Sequence, residues 1–225
     1  LTHGSFGELF FLFTNTNIFS LFCFSSSFLR FSLLWGGSIA IRHQTFKQLN
    51  IAKYWSHSVS DDTSLSKILS DHNHQTVFVP TAISQSITSS PDFGRYNHWY
   101  FRQLMYFKLY RKRIWFFAIG LLSLYYLILY FWFIFSFSLS QLDEYTFRQL
   151  GGYIPTAFIF LEMIQAALHR LLGPIPNYPL YIVFSPIFRL VQVFGYMTTY
   201  LTNRITWSGI TYQTDQDGKV IKIKR

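Results

Sequence analysis

The stretch that decides the fold runs from residue 35 to residue 80 and holds three short patterns in order. They are Trp35-Gly36-Gly37-Ser38-Ile39-Ala40-Ile41-Arg42, Ser60-Asp61-Asp62 and Thr76-Val77-Phe78-Val79-Pro80. A paired glycine turn, an acidic pair that opens an amphipathic helix and a short apolar strand thus follow one another. Farther along, residues 114–142 form an aromatic segment without charge. This order indicates a soluble lobe that sits on a membrane.

The composition also indicates a membrane protein. Of the 225 residues, 50% are hydrophobic and only 13% are charged, about half the usual ~25% of a soluble domain. A soluble core could not hide that much apolar surface, so a bilayer is the expected environment. The net charge of +9 is split between Arg111-Lys112-Arg113 and the tail from Lys219 to Arg225. Separate basic clusters suit anionic lipid headgroups better than a nucleic-acid track.

The ends of the chain and its cysteine content set further limits. Cys23 is the only cysteine, which excludes an intrachain disulfide and a cysteine-based zinc site, and we interpret it as a buried small hydrophobe. The sequence starts at Leu1 without the charged n-region of a signal peptide. We therefore expect the chain to be the C-terminal part of a longer protein.

The first half divides into an apolar part and a soluble part. Residues 9–29 lack charge but contain polar residues, which predicts interfacial or buried helices over residues 1–35, with the interface favoured. In residues 36–94 we predict strands over 38–42 and 76–79, a helical turn over 45–49 and a loop over 84–91. The spacing of Leu65, Ile68 and Leu69 predicts a helix over 61–70 that Ser60 caps.

The second half predicts membrane helices and a small tail. Residues 95–113 mix aromatic and basic side chains, as in a helix that lies in the headgroup plane. Within residues 114–203, segments 114–142, 153–172 and 180–201 are candidate spans, the last broken by Pro186. We favour two crossings and a re-entrant or interfacial third segment, with Arg113 and the tail in the cytoplasm. Alternation around an Asp-Gly turn predicts a β-hairpin in residues 204–225.

Several side chains are candidates for chemistry. Asp61 and Asp62 at a helix N-terminus suit a general base, although helix stabilisation alone explains such a pair. The paired glycines allow close approach of a ligand, or only a turn. Bases and aromatics that could hold a diphosphate, or merely snorkel at an interface, occur at Arg95, His98, Trp99, Arg102 and Gln103.

Three other sets are weaker candidates. Asp215 and Asp217 have metal-motif spacing but lie in a predicted turn, and His72 and His74 lack further ligands. Glu162 and Arg189 are ionisable residues at membrane depth, where they could pair with each other or face a lipid headgroup.

Taken together, three motifs carry a family resemblance. These are Gly36-Gly37-Ser38 with its following strand, Ser60-Asp61-Asp62 and Arg95-x-x-His98-Trp99, with a looser match over residues 204–212. Their order resembles the C-terminal part of family 2 glycosyltransferases, closest to the ceramide glucosyltransferase-like branch, over roughly residues 35–113. The resemblance implies an α/β fold: the C-terminal part of a GT-A domain, followed by two or three transmembrane or re-entrant helices.

The resemblance also implies roles for individual residues. Asp62 would be the catalytic base and Asp61 its support. The family's Gln/Arg-x-x-Arg-Trp motif falls on Arg95, His98 and Trp99, with His98 where the family usually has arginine, and Arg102 supplies a cation nearby. A divalent metal, Mg²⁺ or Mn²⁺, is implied with ligands outside this chain, because the Asp-x-Asp half that should precede Gly36 has no counterpart here.

The resulting expectation is an inverting membrane glycosyltransferase that moves a sugar from a nucleotide sugar to a lipid acceptor at the cytoplasmic face. The chain is expected to lack the nucleotide-binding half and to be inactive alone. Polysaccharide synthesis in the same superfamily is one alternative, although the few spans argue against a polymer channel. A non-catalytic membrane scaffold or transporter component is the other.

Overall fold

The chain forms a mixed helical structure with one small antiparallel sheet. The computed structural model describes residues 33–77, 79, 92–139 and 178–225, with parts of 7–18 and 156–167. In order, the elements are α1 (His43–Gln48), α2 (Ile51–Trp55), α3 (Asp61–Asp71), α4 (Phe93–Tyr110), α5 (Lys112–Leu139), α6 (Tyr178–Tyr200), β1 (Arg204–Trp207), β2 (Ile210–Thr214) and β3 (Val220–Lys224). A GT-A domain is not shown by these elements.

Helix α3 confirms the predicted helix and its cap. The Ser60 hydroxyl accepts a hydrogen bond from the backbone N–H of Thr63 at 3.3 Å, which satisfies one of the open donors of the first turn. The apolar side of α3 packs on Ile51 of α2 in a small core. That side is formed by Leu65, Ile68 and Leu69, each less than 9% exposed. Capping and packing together fix where the helix begins and which side faces the core.

Two predicted strands are wrong. Residues 38–42 and the described residues of 76–79 are neither helix nor strand. The one sheet found in the described part of the chain consists of the three C-terminal strands. An extended apolar stretch becomes a strand only when another strand pairs with its backbone. Among the described residues, neither stretch has such a partner strand. The predicted helical turn over 45–49 corresponds to α1.

Helix α4 is the centre of the described structure. One of its sides, with Tyr96, Tyr100 and Leu104, joins a core shared with α5 and α6. Another side, with Met105 and Leu109, packs on Ile205 of β1. The predicted amphipathic helix over residues 95–113 is therefore confirmed as a helix, but it ends at Tyr110. Different sides of α4 thus contact α5 and α6 on the one hand and the C-terminal sheet on the other.

Helices α5 and α6 run antiparallel and are the two described helices that are long and apolar enough to cross a membrane. Trp115, near the start of α5, packs on Tyr196 near the end of α6, with ring centroids 5.5 Å apart. The expected break at Pro186 is wrong, because α6 continues through it. The Tyr126 hydroxyl of α5 donates to the Pro186 carbonyl at 2.8 Å. The start of α5 at Lys112 and the end of α6 at Tyr200 therefore lie near each other, beside α4.

Parts of two other apolar segments are described. Around residue 13, the helical residues Phe10, Phe13 and Thr14 are at most 1% exposed, and the Thr14 hydroxyl shares a 2.7 Å hydrogen bond with the Tyr96 hydroxyl. This part is therefore buried in protein. The described residues of segment 153–172 are helical and include Glu162, which pairs with Arg189 as one prediction expected. The predicted loop over 84–91 lies outside the described residues.

The tail has one strand more than predicted. Its strand order is β1-β2-β3, and Trp207 pairs with Ile210 across a two-residue turn. Both turn residues have positive φ, 47° at Ser208 and 78° at Gly209, as the favoured two-residue hairpin turn requires. The predicted single strand over residues 205–212 is thus itself a hairpin.

A second contact fastens the tail to α4 and to the start of α3. The Tyr110 hydroxyl donates to the Gly218 carbonyl at 2.9 Å and accepts from the Val59 backbone N–H at 2.9 Å. Gly218 has φ 83°, and a Cβ there would lie 2.6 Å from Tyr110 Cε1. Glycine at this position therefore allows the turn to approach the ring closely. The contact brings the C-terminal sheet next to the residues that precede Asp61.

Lys108 of α4 closes the C-terminal end of α6. Its Nζ donates to the carbonyls of Thr199 and Thr202, both at 2.7 Å, and to Asn203 Oδ1 at 3.0 Å. Burial lowers the pKa of the Lys108 ammonium group, and the nearby positive charge of Lys112 lowers it further. Carbonyls at a helix C-terminus lack intrahelical donors, so a cation there both satisfies them and opposes the negative end of the helix dipole.

We expect Lys108→Met to lower the free energy of unfolding by about 1–3 kcal/mol, because the charged hydrogen bonds to the end of α6 are lost. Thermal unfolding of the detergent-solubilised protein measures the change. Lys112→Met is the matched control, since Lys112 is 46% exposed and contacts Asp217 only at 3.7 Å. Such a surface pair contributes little. Equal melting temperatures for the two variants would contradict the capping role.

Candidate active site at Asp62

The carboxylate of Asp62 is held in one orientation at the N-terminus of α3. Its Oδ1 accepts hydrogen bonds from the Ser60 hydroxyl at 2.5 Å, the Thr63 backbone N–H at 2.5 Å and the Thr63 hydroxyl at 2.9 Å. Its Oδ2 accepts one bond, from the backbone N–H of Gly36 at 2.8 Å. A carboxylate has about four lone-pair positions, two on each oxygen. Oδ2 therefore retains an acceptor position, whereas Oδ1 does not.

The two predicted motifs meet directly at this carboxylate. A Cβ built on Gly36 would lie 3.1 Å from Asp62 Oδ2, tighter than an ordinary contact, so glycine suits the close approach. Asp61 has a different role: its Oδ1 accepts from the Asp62 backbone N–H at 2.9 Å, and its carbonyl accepts from Trp55 Nε1 at 3.0 Å. These bonds fix the backbone on which Asp62 is carried.

A cavity of about 220 Å³ opens beside Asp62. Elements far apart in sequence surround it: the glycine turn, the start of α3, one side of α4 and the end of β1. Its lining residues are Trp35, Gly36, Gly37, Val59, Ser60, Asp61, Asp62, Arg102, Gln103, Tyr106 and Trp207. Six of the predicted site residues are among them. Two of the three motifs, the paired glycines and the acidic pair, therefore lie at this cavity, together with Arg102 and Gln103.

Arg102 adds a cation to the lining of the cavity that holds Asp61 and Asp62. Its Nε is buried and has no hydrogen-bond partner among the described residues, and its Cζ lies 6.0 Å from the centroid of the Trp207 ring. A guanidinium offers five donors in a planar fork that matches phosphate oxygens. The cavity wall thus contains a carboxylate, Asp62, and a guanidinium, Arg102.

Tyr106 completes the α4 side of the cavity. Burial raises the pKa of its phenol to about 12; the Arg102 charge opposes this shift, and Asp62 and Asp61 add to it. The hydroxyl is therefore protonated at neutral pH and can donate a hydrogen bond. Tyr106 follows Arg102 by four positions, so the two share one side of the helix. This spacing is the signal in the sequence that could have identified Tyr106.

The remaining predicted site residues lie elsewhere. Ser38 is exposed outside the cavity. Arg95 and His98 are exposed near the first turns of α4, and Arg95 faces Asp92 at 3.6 Å. Trp99 packs on Phe11, with ring centroids 4.7 Å apart, rather than lining the cavity. Of the proposed phosphate-binding group, the structure thus brings only Arg102 and Gln103 to Asp62.

Trp207 is a cavity residue that the motif analysis did not select. It belongs to the tail, 145 positions after Asp62 in the sequence, and only the packing of the sheet on α4 brings it there. Its position in an alternating stretch marks it as a strand residue but gives no indication of its contact with Arg102. Sequence spacing carries no information about such a long-range contact.

The cavity does not fit a divalent metal. Among the described residues, no group of three His, Cys, Asp or Glu side chains could hold a metal ion. The cavity lining holds only two carboxylates, Asp61 and Asp62, and the Asp61 carboxylate already accepts a hydrogen bond from the Asp62 backbone N–H. The Asp215 carboxylate instead accepts from the backbone N–H groups of Asp217 and Lys219 at 2.9 and 2.8 Å, as expected for a turn. No chemical step is therefore assigned to a metal held by these residues.

No protein-family model, curated protein or solved structure matches this chain. The chemistry of the cavity therefore carries the functional interpretation, together with the motif resemblance described above.

Proposed function

We propose that this chain is the acceptor-side part of an inverting membrane glycosyltransferase that moves a sugar from a nucleotide donor to a lipid hydroxyl. One observation carries the proposal: Asp62, whose Oδ2 keeps an acceptor position, lines the same 220 Å³ cavity as Arg102. Inverting transfer needs a base for the acceptor and a cation for the departing diphosphate. Both groups are present here within one cavity.

In the proposed reaction, the acceptor hydroxyl gives its proton to Asp62 Oδ2. Its oxygen forms a bond to the anomeric carbon from the face opposite the leaving group. The bond between that carbon and the phosphate oxygen breaks, and the diphosphate leaves with the bonding electrons. Arg102 and the Tyr106 hydroxyl are placed to stabilise the negative charge that develops. Ser60, Thr63 and Gly36 hold the base in position throughout.

The surroundings of the cavity support a lipid acceptor. Helices α5 and α6 are apolar enough to cross a membrane, and their ends at Lys112 and Tyr200 flank α4, which contributes Arg102. A hydroxyl at the headgroup level of a bilayer is then within reach of the cavity. In this proposal the nucleotide and its divalent metal are bound by residues other than those described, because no group of three His, Cys, Asp or Glu among the described residues could hold a metal ion.

Product analysis tests the proposal. Membranes containing the full-length protein are supplied, one at a time, with radiolabelled nucleotide sugars, and the products are separated into lipid extract and water-soluble polymer. With at least one donor, we expect more label in the lipid extract than is found in the extract of membranes that lack the protein. Label only in polymer would favour polysaccharide synthesis. No incorporation from any donor would contradict an enzymatic role and favour a scaffold.

A further inference from the structure

The cavity beside Asp62 has aromatic walls that the proposed chemistry does not use. Trp35 is 37% exposed and Trp207 is 48% exposed, and both indoles line the cavity. Tryptophan is the largest apolar side chain and is usually well buried. Here two of them border the same small space, which also holds carboxylates, an amide and a guanidinium.

The tail holds Trp207 in a defined place. Trp207 is the last residue of β1, and it pairs with Ile210 across the tight Ser208-Gly209 turn. Two residues earlier, Ile205 is fully buried against α4. The Tyr110–Gly218 hydrogen bond fixes the other end of the sheet. The indole is thus presented by a fastened hairpin, which lowers the entropy lost when a ligand binds against it.

The size of the cavity limits its ligand. Pockets for drug-sized molecules measure roughly 300–1,000 Å³, and this cavity measures about 220 Å³. A single ring with its substituents fits such a space, whereas a whole nucleotide sugar does not. The polar groups at the wall accept and donate hydrogen bonds on several sides, through Asp61, Asp62, Gln103 and Arg102. They suit a ring that carries several hydroxyls.

From these observations we infer that the cavity is a subsite for one pyranose ring, with Trp207 of the C-terminal sheet as its aromatic platform and Trp35 as a second aromatic side chain in its lining. The electron-rich face of an indole attracts the polarised C–H groups of a sugar, and the carboxylates and Arg102 take its hydroxyls. The inference rests on the proposed function and deepens it, because it makes the tail a specificity-determining part of the site. Trp207 acts by binding the ring, while Asp62 performs the proton transfer.

A binding experiment tests the subsite without requiring turnover. Saturation-transfer NMR is recorded on the detergent-solubilised full-length protein with methyl glucoside, methyl galactoside and methyl mannoside as probes. We expect at least one probe to receive saturation, strongest at its ring C–H protons. The signal should be lost in Trp207→Ala and largely retained in Trp207→Phe. Ile223→Ala, at a 56% exposed position of β3 outside the cavity, is the matched control and should bind as wild type.

Kinetics separate this inference from the proposed function. With the donor found by product analysis, we expect Trp207→Ala to raise KM for either the nucleotide sugar or the acceptor by about five- to tenfold. The value of kcat should change far less. The substrate whose KM rises, nucleotide sugar or acceptor, is the one whose sugar ring binds in the subsite. Lipid glycosylation with unchanged KM in Trp207→Ala, or no probe signal in the wild type, overturns the subsite and leaves the glycosyltransferase proposal standing.

Discussion

Replacing Glu162 by alanine is expected to destabilise the protein by about 3–5 kcal/mol, the usual cost of removing one partner from a buried ion pair. Glu162 is 3% exposed and Arg189 17% exposed, and Arg189 Nε donates to Glu162 Oε1 at 2.8 Å. The guanidinium also lies over the rings of Phe13 and Tyr125, at 5.4 and 5.0 Å from their centroids. Without the carboxylate, the largely buried guanidinium of Arg189 would lose its counterion.

Thermal unfolding in detergent measures this effect, and the melting temperature should fall by roughly 6–20 °C for a chain of this size. The exchanged pair, Glu162→Arg with Arg189→Glu, is the internal control. It restores opposite charges at the two positions and should recover part of the loss. A double variant that is no more stable than Glu162→Ala would show that the pair itself contributes little. An unchanged melting temperature in Glu162→Ala would contradict its structural role outright.

The sequence allowed this ion pair to be anticipated because the two residues are isolated charges in apolar segments. A charge in an apolar segment needs a counterion, and few other charges are available in these segments. Helix α3 was predictable for a comparable reason. Its cap Ser60, its first-turn acids and the spacing of Leu65, Ile68 and Leu69 are all local features, so no distant part of the chain decides them.

Three of the errors share one physical origin, which is dependence on a distant partner. Residues 38–42 have strand-forming composition but no neighbouring strand among the described residues to pair with. Arg95 and His98 follow a family-like spacing, yet the rotation of α4 turns Arg102 toward Asp62 instead. Trp207 reaches the cavity only through the packing of Ile205 on Met105 and Leu109. Contacts of this kind are set by tertiary packing, which a single sequence does not display.

The second large expected effect concerns Asp62. Asp62→Asn should reduce the rate of sugar transfer by roughly 10²–10⁴-fold, the usual contribution of a general base. An amide cannot take the proton of the acceptor hydroxyl, although it keeps nearly the size of the carboxylate. The control is Asp71→Asn on the same helix, because Asp71 is 55% exposed and pairs only with Lys67 among the described residues.

Both variants must be shown to fold before rates are compared. Their melting temperatures in detergent should lie within a few degrees of wild type, since the Ser60 cap of α3 is intact in each. Asp61→Asn is a useful third variant. Because Asp61 contacts the backbone of Asp62 and the carboxylate of Asp62 is retained, its loss of rate should be smaller than that of Asp62→Asn.

The most direct test of the account is the initial rate of transfer from a labelled nucleotide sugar to lipid, measured side by side for wild type, Asp62→Asn and Asp71→Asn in the same membranes. The account predicts that Asp71→Asn keeps the wild-type rate and that Asp62→Asn loses at least about 99% of it. A rate in Asp62→Asn equal to that of wild type would contradict it.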